Sequence, residues 1–284
     1  MEMTLRKPKL KTLILKFILY LVVIDICILI LYPYFVMVCT ALKSRAEIFA
    51  IEGTIIPKEA LWSNFVDIWT MAPIAQNMIN SLLIAGGSTL IAIVCGIPAA
   101  YALSRMKFKG QTAFLGFIIV SQMFAPVVLL IGIYKILSAF GMTDSRWGLI
   151  FINAAFNQAF TVWLLRGTFM TISAEMEQAA TIDGCNRLQA MFRVLLPVAA
   201  PGIVTTLIFI FINAWNEYTV AMCIISSEAL NPITVGVNVF NGYNMIQWQY
   251  LFAASVFAIL PVVIMFMFIE KHLVSGLTSG GVKG

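Results

Sequence analysis

Amide and carboxylate side chains recur at helical spacing inside apolar stretches of this 284-residue sequence. Asn153 and Asn157 are four residues apart, as are Asn213 and Glu217, so each pair shares one face of a helix. Amide groups hydrogen-bond hydroxyls, and aromatic rings stack on the apolar faces of sugars. Together with Asn216, these residues are candidates to line a pathway for a hydroxylated solute. Hydrogen bonding between helices is the competing interpretation.

The residue types that other chemistry needs are sparse. The sequence has one histidine, His272, and its five cysteines form no CxxC pair, so neither a metal site nor a disulfide framework is expected. No nucleophile with acid–base partners is recognisable, which argues against a membrane enzyme. No GxxxxGK[ST] pattern occurs, so ATP hydrolysis would have to come from a partner. The basic residues form no patch with interleaved aromatics, and a nucleic-acid partner is not expected.

Membrane spans are the elements that must position the polar residues. Hydrophobic residues make up 61% of the chain and charged residues 11%, whereas soluble domains carry about 25% charged residues. Each apolar run is close to the roughly 20 residues that cross a ~30 Å hydrocarbon core. We predict an all-α polytopic membrane protein with six transmembrane helices in one domain over residues 1–284, and Pro126 is expected to kink the third. The predicted spans are residues 17–41, 77–104, 113–133, 147–165, 200–225 and 249–269.

The distribution of lysine and arginine predicts the orientation in the membrane. With the N-terminus inside, the inner segments hold 13 of these residues and the outer segments hold 5. The positive-inside rule therefore predicts both termini in the cytoplasm. A signal peptide is the rival interpretation of the first run, but that run is too long and no small-residue cleavage motif follows it.

One inner segment, residues 166–197, is amphipathic and about thirty residues long. Ser173 is placed to cap a short helix, and Gly184 is placed to end it. Asn186 and Gln189 have the spacing of a capping box that starts a second short helix. We therefore predict a helix–turn–helix at the membrane surface, and a loop of this length usually has a function.

The sequence of this loop resembles a known family. The run E-Q-A-A-T-I-D-G at residues 177–184, followed by L-L-P at residues 195–197, is similar to the EAA loop of bacterial ABC importer permeases. The sequence departs from the family pattern at Gln178, where the family has glutamate, and Glu177 precedes it. The run A-W-N-E-Y at residues 214–218 and the C-terminal tail at residues 276–284 are similar to maltose-type permeases. The chain thus resembles the second of two paired permeases of carbohydrate-uptake subfamily 1.

The resemblance implies a type I ABC importer permease in the bacterial inner membrane, forming half of a pathway for an oligosaccharide or related carbohydrate. It implies a second homologous permease, two ATP-binding subunits, an extracytoplasmic sugar-binding protein and membrane lipid as partners. The chain itself would hold no cofactor, because ATP is bound by the partner subunits. The outer loop at residues 226–247 is placed to meet the binding protein, and the tail to reach the ATPase. The implied ATPase-coupling residues are Glu177, Gln178, Ala179, Ala180, Asp183, Gly184 and Pro197.

Other transport functions stay open. Within the family, import of glycerol phosphate or a polyol is the alternative to import of a carbohydrate. A stand-alone ion-coupled transporter would need an inverted repeat and internal ion ligands, and no convincing repeat is present. For the outer loop and the tail, an ordinary polar connector and a flexible end are the competing interpretations.

Overall fold

The computed structural model describes residues 10–242 and 245–280, and most of these residues are helical. A π-helical turn at Met191–Leu195 precedes α10, 3₁₀ turns lie at Glu228–Leu230 and Val237–Phe240, and no strand occurs within the described ranges. The prediction of an all-α fold is therefore confirmed. The α-helices in chain order are α1 (Leu10–Ala41), α2 (Arg45–Ile48), α3 (Asn64–Met71), α4 (Ile74–Arg105), α5 (Gln111–Ser121), α6 (Pro126–Ala139), α7 (Arg146–Thr171), α8 (Ala174–Ile182), α9 (Arg187–Ala190), α10 (Leu196–Trp215), α11 (Thr219–Ile224), α12 (Ile233–Gly236) and α13 (Trp248–Gly280).

Five segments are long and apolar enough to cross a membrane, since each exceeds the roughly 20 residues that a span requires. They overlap five of the six predicted spans. These segments are Ile14–Ala41, Ile74–Arg105, Arg146–Thr171, Arg187–Trp215 and Trp248–Phe268.

The remaining predicted span, residues 113–133, differs from the expectation of one kinked helix. It consists of α5 and α6, which are separated at residues 122–125. Pro126 begins α6, where the missing N–H of proline leaves no helical hydrogen bond unmade. The predicted span at residues 200–225 is also interrupted, because α10 ends at Trp215 and α11 begins at Thr219.

Contacts divide the described residues into two units, and the first contains residues 10–68, 240–242 and 245–256. In this unit the buried side chain of Asn64 donates hydrogen bonds to the carbonyls of Ala41, at 2.8 Å, and Lys43, at 3.0 Å. Glu47 accepts from the Lys58 amide at 2.9 Å and from the Thr54 hydroxyl at 2.8 Å. These two hydrogen bonds hold the pKa of the Glu47 carboxyl below its usual value. The loop after α1 is thus ordered by polar contacts.

The second unit contains residues 69–239 and 257–280, and α4, α7 and α10 form its centre. Small residues let α4 approach α7 closely, as is usual between membrane helices. A Cβ atom on Gly96 would lie only 2.5 Å from Thr161 Cγ2, so only glycine fits there without a shift of Thr161. Two turns earlier on α4, Ser88 Oγ lies 2.6 Å from the Ile84 carbonyl oxygen and 3.2 Å from that of Ile150, so its one proton is shared between α4 and α7.

Two buried clusters of this unit pack against different halves of α4. The first cluster joins α4, α7, the π-helical turn and α10, and the second joins α4 and α7 to α6 and α11. The first contains Ala92, Ile93, Ala100, Tyr101, Leu165, Phe169, Met191, Leu195, Ala199 and Ile210. The second contains Ile84, Ile133, Leu137, Leu149, Ile150, Val220, Ala221, Ile224 and Ile225.

A polar tie joins the loop before α7 to the segment after α11. Asp144, at a φ of 50°, accepts hydrogen bonds from the Ser227 hydroxyl and from the amides of Ser226 and Ser227, the two amides at 2.9 Å. These bonds, led by that of the Ser227 hydroxyl, hold the pKa of the Asp144 carboxyl below its usual value. The α6–α7 connection is thus fixed against the end of α11.

Candidate functional site

The 166–197 loop forms the predicted pair of short helices. The amide of Glu175 donates to Ser173 Oγ at 3.2 Å, which caps the start of α8. Asn186 and Gln189 form a full capping box at α9, with reciprocal hydrogen bonds of 2.8 and 2.9 Å. Each cap satisfies amides that have no partner inside the helix. The predicted helix–turn–helix and its caps are confirmed.

Gly184 ends α8 in a Schellman motif. Its φ is 90°, its amide donates to the Thr181 carbonyl at 3.1 Å, and the Cys185 amide donates to the Ala180 carbonyl at 2.9 Å. Both bonds satisfy carbonyls at the helix end, and they require a left-handed residue between them. The turn between α8 and α9 therefore depends on this glycine.

Replacing Gly184 with valine is expected to loosen the turn, because a β-branched residue at positive φ costs about 1–2 kcal/mol. Hydrogen exchange of the Cys185 amide should speed up about tenfold in Gly184→Val, since about 1.4 kcal/mol of local stability is a factor of ten. Gly184→Asn is the matched control, because asparagine tolerates the left-handed region, and it should exchange close to the wild-type rate. Equal exchange in Gly184→Val and the wild type would contradict the expectation.

Glu177 faces the body of the protein and pairs with the last residue of α4. Its Oε1 accepts from Arg105 Nε at 2.6 Å, and Arg105 Nη2 also donates to the Ile172 carbonyl at 2.8 Å. Glu177 is only 8% exposed. A charge pair held this far from water keeps its geometry, because separating the partners would leave a charge desolvated. The pair therefore fastens α8 to the end of α4.

The opposite side of α8 is exposed and partly apolar. This exposed face of the loop consists of Gln178, Ala179, Ile182, Asp183 and, after the turn, Leu188. Ile182 is 87% exposed. Leu188 of α9 is 65% exposed.

The seven predicted coupling residues thus divide between two sides of the loop. Glu177 and Ala180 are buried against the chain itself. Although alanine is small enough to let another protein approach a helix backbone, Ala180 therefore offers almost no accessible surface for such a contact. The other five, which are exposed, are Gln178, Ala179, Asp183, Gly184 and Pro197.

A polar cavity of about 200 Å³ lies where the helices of the second unit are interrupted. It is bordered by the break between α5 and α6 and by the break after α10. Irregular backbone at membrane depth is tolerated where it is buried in protein or lines a cavity. The lining residues are Ser121, Gln122, Phe124, Pro126, Asn153, Phe156, Asn157, Asn213, Glu217 and Val220.

Four of the five predicted pathway residues meet in this polar cavity. Asn213 Nδ2 donates to Asn157 Oδ1 at 3.1 Å, which joins α10 to α7. Asn157 Nδ2 donates in turn to the Asn153 carbonyl at 2.9 Å. Asn216 is not part of the lining. The amides therefore bond α7 to α10, as the competing interpretation expects, and they also border a cavity. Their role in a solute pathway stays a prediction.

Glu217 has a structural role within the cavity wall. Its two carboxylate oxygens accept from the amides of Val220, at 2.6 Å, and Ala221, at 3.0 Å. A carboxylate at the first turn of a helix satisfies free amides and is favoured by the helix dipole. Glu217 therefore starts α11, and this holds its carboxylate at the cavity edge.

The outer loop predicted to meet a binding protein is anchored on α4 by residues that the sequence analysis did not single out. Asn80 donates to the carbonyls of Ala229 and Asn231, both at 2.9 Å. Ser81 accepts from the Ile233 amide at 2.8 Å. Two adjacent polar residues in an otherwise apolar run were the available signal. Tyr243 and Asn244 of this loop, and residues 281–284 of the tail, lie outside the described residues.

The sequence matches the family described as the binding-protein-dependent transport system inner membrane component, over residues 92–279. It is 36% identical to the inner membrane ABC transporter permease protein YcjP of Escherichia coli, over 90% of this chain and 92% of that protein. It is 34% identical to the sulfoquinovosyl glycerol transport system permease protein SmoH of Agrobacterium fabrum, over 89% of each chain.

The fold is similar to that of a solved ABC importer. A chain from a bacterial ABC transporter involved in the import of the acidic polysaccharide alginate superposes with a TM-score of 0.79. The match covers 93% of this chain and 98% of that chain at 22% sequence identity. At that identity the similarity establishes the fold.

Proposed function

Because this chain belongs to the family of binding-protein-dependent transport system inner membrane components, we propose that it is one of two paired permeases in an ATP-driven carbohydrate importer. The chain is an ABC transporter permease with several membrane-spanning helices. The observation that carries the carbohydrate assignment is the polar cavity, in which amides from two helices converge. Amides are suited to hydroxyl groups because each supplies both donors and an acceptor.

The exposed face of the loop is the proposed contact with the ATPase. Ile182 and Leu188 supply apolar area, and Ala179 is small enough for a partner surface to approach the helix backbone. Glu177 is paired with Arg105 and is buried. Of the two neighbours Glu177 and Gln178, the exposed Gln178 is therefore the polar side chain available to the ATPase. The ATPase contact thus rests on shape, apolar area and an amide. ATP would be bound by the two partner subunits.

The orientation proposed from the lysine and arginine count puts the 166–197 loop and both termini in the cytoplasm. The segment at residues 226–242 then faces outward, where a sugar-loaded binding protein would dock. Closure of the ATPases on ATP would move α8, and the Arg105–Glu177 pair would pass that motion to α4. Alternating access follows when the helices around the polar cavity tilt.

The composition of the polar cavity favours a carbohydrate over glycerol phosphate. A phosphate group needs cationic or multiple N–H partners. None of the described residues that line the cavity is a lysine or an arginine, and one of them is the carboxylate Glu217. A polyol has hydroxyls like a carbohydrate and is the second candidate, which the uptake panel below separates.

Uptake by the reconstituted importer tests the proposal. The tagged chain is purified with its paired permease and ATPase, placed in proteoliposomes and supplied with its binding protein. The panel is trehalose, melibiose, diacetylchitobiose, sulfoquinovosyl glycerol, sorbitol and glycerol 3-phosphate. We expect ATP-dependent uptake of at least one of the four glycosides, and no uptake without the ATPase.

Uptake of sorbitol or glycerol 3-phosphate alone would replace the carbohydrate assignment by one of the alternatives. Uptake driven by an ion gradient in vesicles that lack the ATPase would overturn the importer assignment.

A further inference from the structure

One side of α7 borders two further cavities besides the polar cavity. Asn153, Asn157, Phe160, Leu164 and Thr171 follow one another at spacings of three, four or seven residues, which keeps them on one side of a helix. The stretch from the first to the last rises about 27 Å, close to the ~30 Å hydrocarbon thickness of a bilayer. Three cavities lie along this face.

An aromatic cavity of about 360 Å³ shares one lining residue with the polar cavity. This aromatic cavity is lined by Ile118, Gln122, Ala159, Phe160 and Trp163. Gln122 lines both cavities, and its side chain donates to the Phe156 carbonyl at 3.2 Å. A polar group thus stands at the junction between the two.

Trp163 forms a second junction. It lines the aromatic cavity and also a third cavity of about 550 Å³ between α7 and the start of α10. The indole lies 6.4 Å from the ring of Phe160, centroid to centroid, and Phe160 is supported edge-on by Phe209 of α10 at 6.1 Å. Trp163 is nevertheless 55% exposed, so its ring has accessible surface toward the cavities.

The position of Trp163 along α7 argues against an ordinary membrane-interface role. Tryptophans of the interface lie near the ends of spanning helices. Trp163 is eight residues before Thr171, so it lies about 12 Å inside that end of the helix. Trp147, one residue after the helix begins, has the position expected of an interface residue.

We propose that Trp163 and Phe160 form an aromatic subsite on which a sugar ring stacks as it leaves the polar cavity. This inference rests on the proposed carbohydrate function. Amides hydrogen-bond hydroxyls in the polar cavity, and the indole of Trp163, further along α7, offers an apolar surface for the C–H groups of the ring. The half of the pathway contributed by this chain then has two chemically distinct steps, linked at Gln122.

Uptake by Trp163 variants tests the subsite, with the panel carbohydrate that the wild-type importer takes up. Trp163→Ala should lower the uptake rate about fivefold at saturating loaded binding protein, the size expected from losing one aromatic stack. Trp163→Phe retains a ring and should recover most of that rate. Trp147→Ala is the matched control, since Trp147 is described, 61% exposed and on the same helix but outside the lining of all three cavities.

Cysteine labelling gives a second measurement that needs no uptake. In a variant whose five cysteines are replaced, Trp163→Cys should react with a water-soluble methanethiosulfonate, and the carbohydrate should slow that reaction. Val94→Cys on α4, 61% exposed and away from the three cavities in the described structure, should react at least about tenfold more slowly if it faces lipid.

The outcomes separate the subsite from the proposed function. A wild-type importer that takes up none of the glycosides would overturn the proposed function. An active wild type with equal rates in Trp163→Ala and Trp147→Ala, or an unreactive Trp163→Cys, would overturn the subsite alone.

Discussion

The Ile182→Asp variant is expected to lose its ATPase partner. Ile182 is the most exposed large apolar residue of α8 and lies on the exposed face of the loop. Burying an isoleucine side chain at an interface is worth about 1.5–3 kcal/mol, and aspartate at the same place would also have to give up its hydration. A total loss of about 3 kcal/mol or more weakens association at least about a hundredfold.

Copurification measures this loss. The ATPase recovered per permease, and ATP-dependent uptake, should both fall to background in Ile182→Asp. Ile56→Asp is the matched control, because Ile56 is an isoleucine, 67% exposed, in the loop between α2 and α3. Recovery of the ATPase at wild-type ratio with Ile182→Asp would remove this surface from the proposed contact.

Arg105→Gln is expected to uncouple ATP hydrolysis from uptake. The substitution leaves Glu177 buried without its cation, and breaking a buried pair by removing one partner costs about 3 kcal/mol or more. The carboxylate would then turn toward water and release α8 from the end of α4. Hydrolysis should continue, while uptake per ATP falls about tenfold, equivalent to about 1.4 kcal/mol of coupling.

A double-mutant cycle separates the loss of the Arg105–Glu177 pair from the simple loss of one positive charge. Arg105→Gln combined with Glu177→Gln removes the unpaired carboxylate, so the double variant should be more stable to heat and better coupled than Arg105→Gln alone. Arg193→Gln is the control, because it removes a positive charge from an exposed position in the 166–197 loop, which also contains Glu177. Additive losses in the double variant would contradict a direct role for the pair.

Features that depend on neighbours in sequence could be predicted before the fold was seen. Ser173, Gly184 and Asn186 all act on amides or carbonyls within a few residues, so their spacing was sufficient. The inward direction of Glu177 could not be predicted in this way. Its partner, Arg105, is 72 residues earlier in the chain, and sequence alone counted that arginine only toward orientation.

The breaks in the helices were the second feature that the sequence did not predict. Residues 113–133 are uncharged and mostly apolar, so hydropathy predicts one span although the backbone opens at residues 122–125. The amide spacing correctly placed Asn153 and Asn157 together. It could not separate Asn213 from Asn216, because the helix ends between them and the rule of 3.6 residues per turn then fails.

The hydrogen bond between Asn157 and Asn213 has a consequence for how tightly a carbohydrate can be held. The side chains of Asn157 and Asn213 already bond to each other or to backbone, so a hydroxyl that competes for those same donors and acceptors gains little net free energy. A site that gains little per contact holds its solute briefly. For a transport pathway that is an advantage, because passage requires residence long enough for recognition and short enough for release.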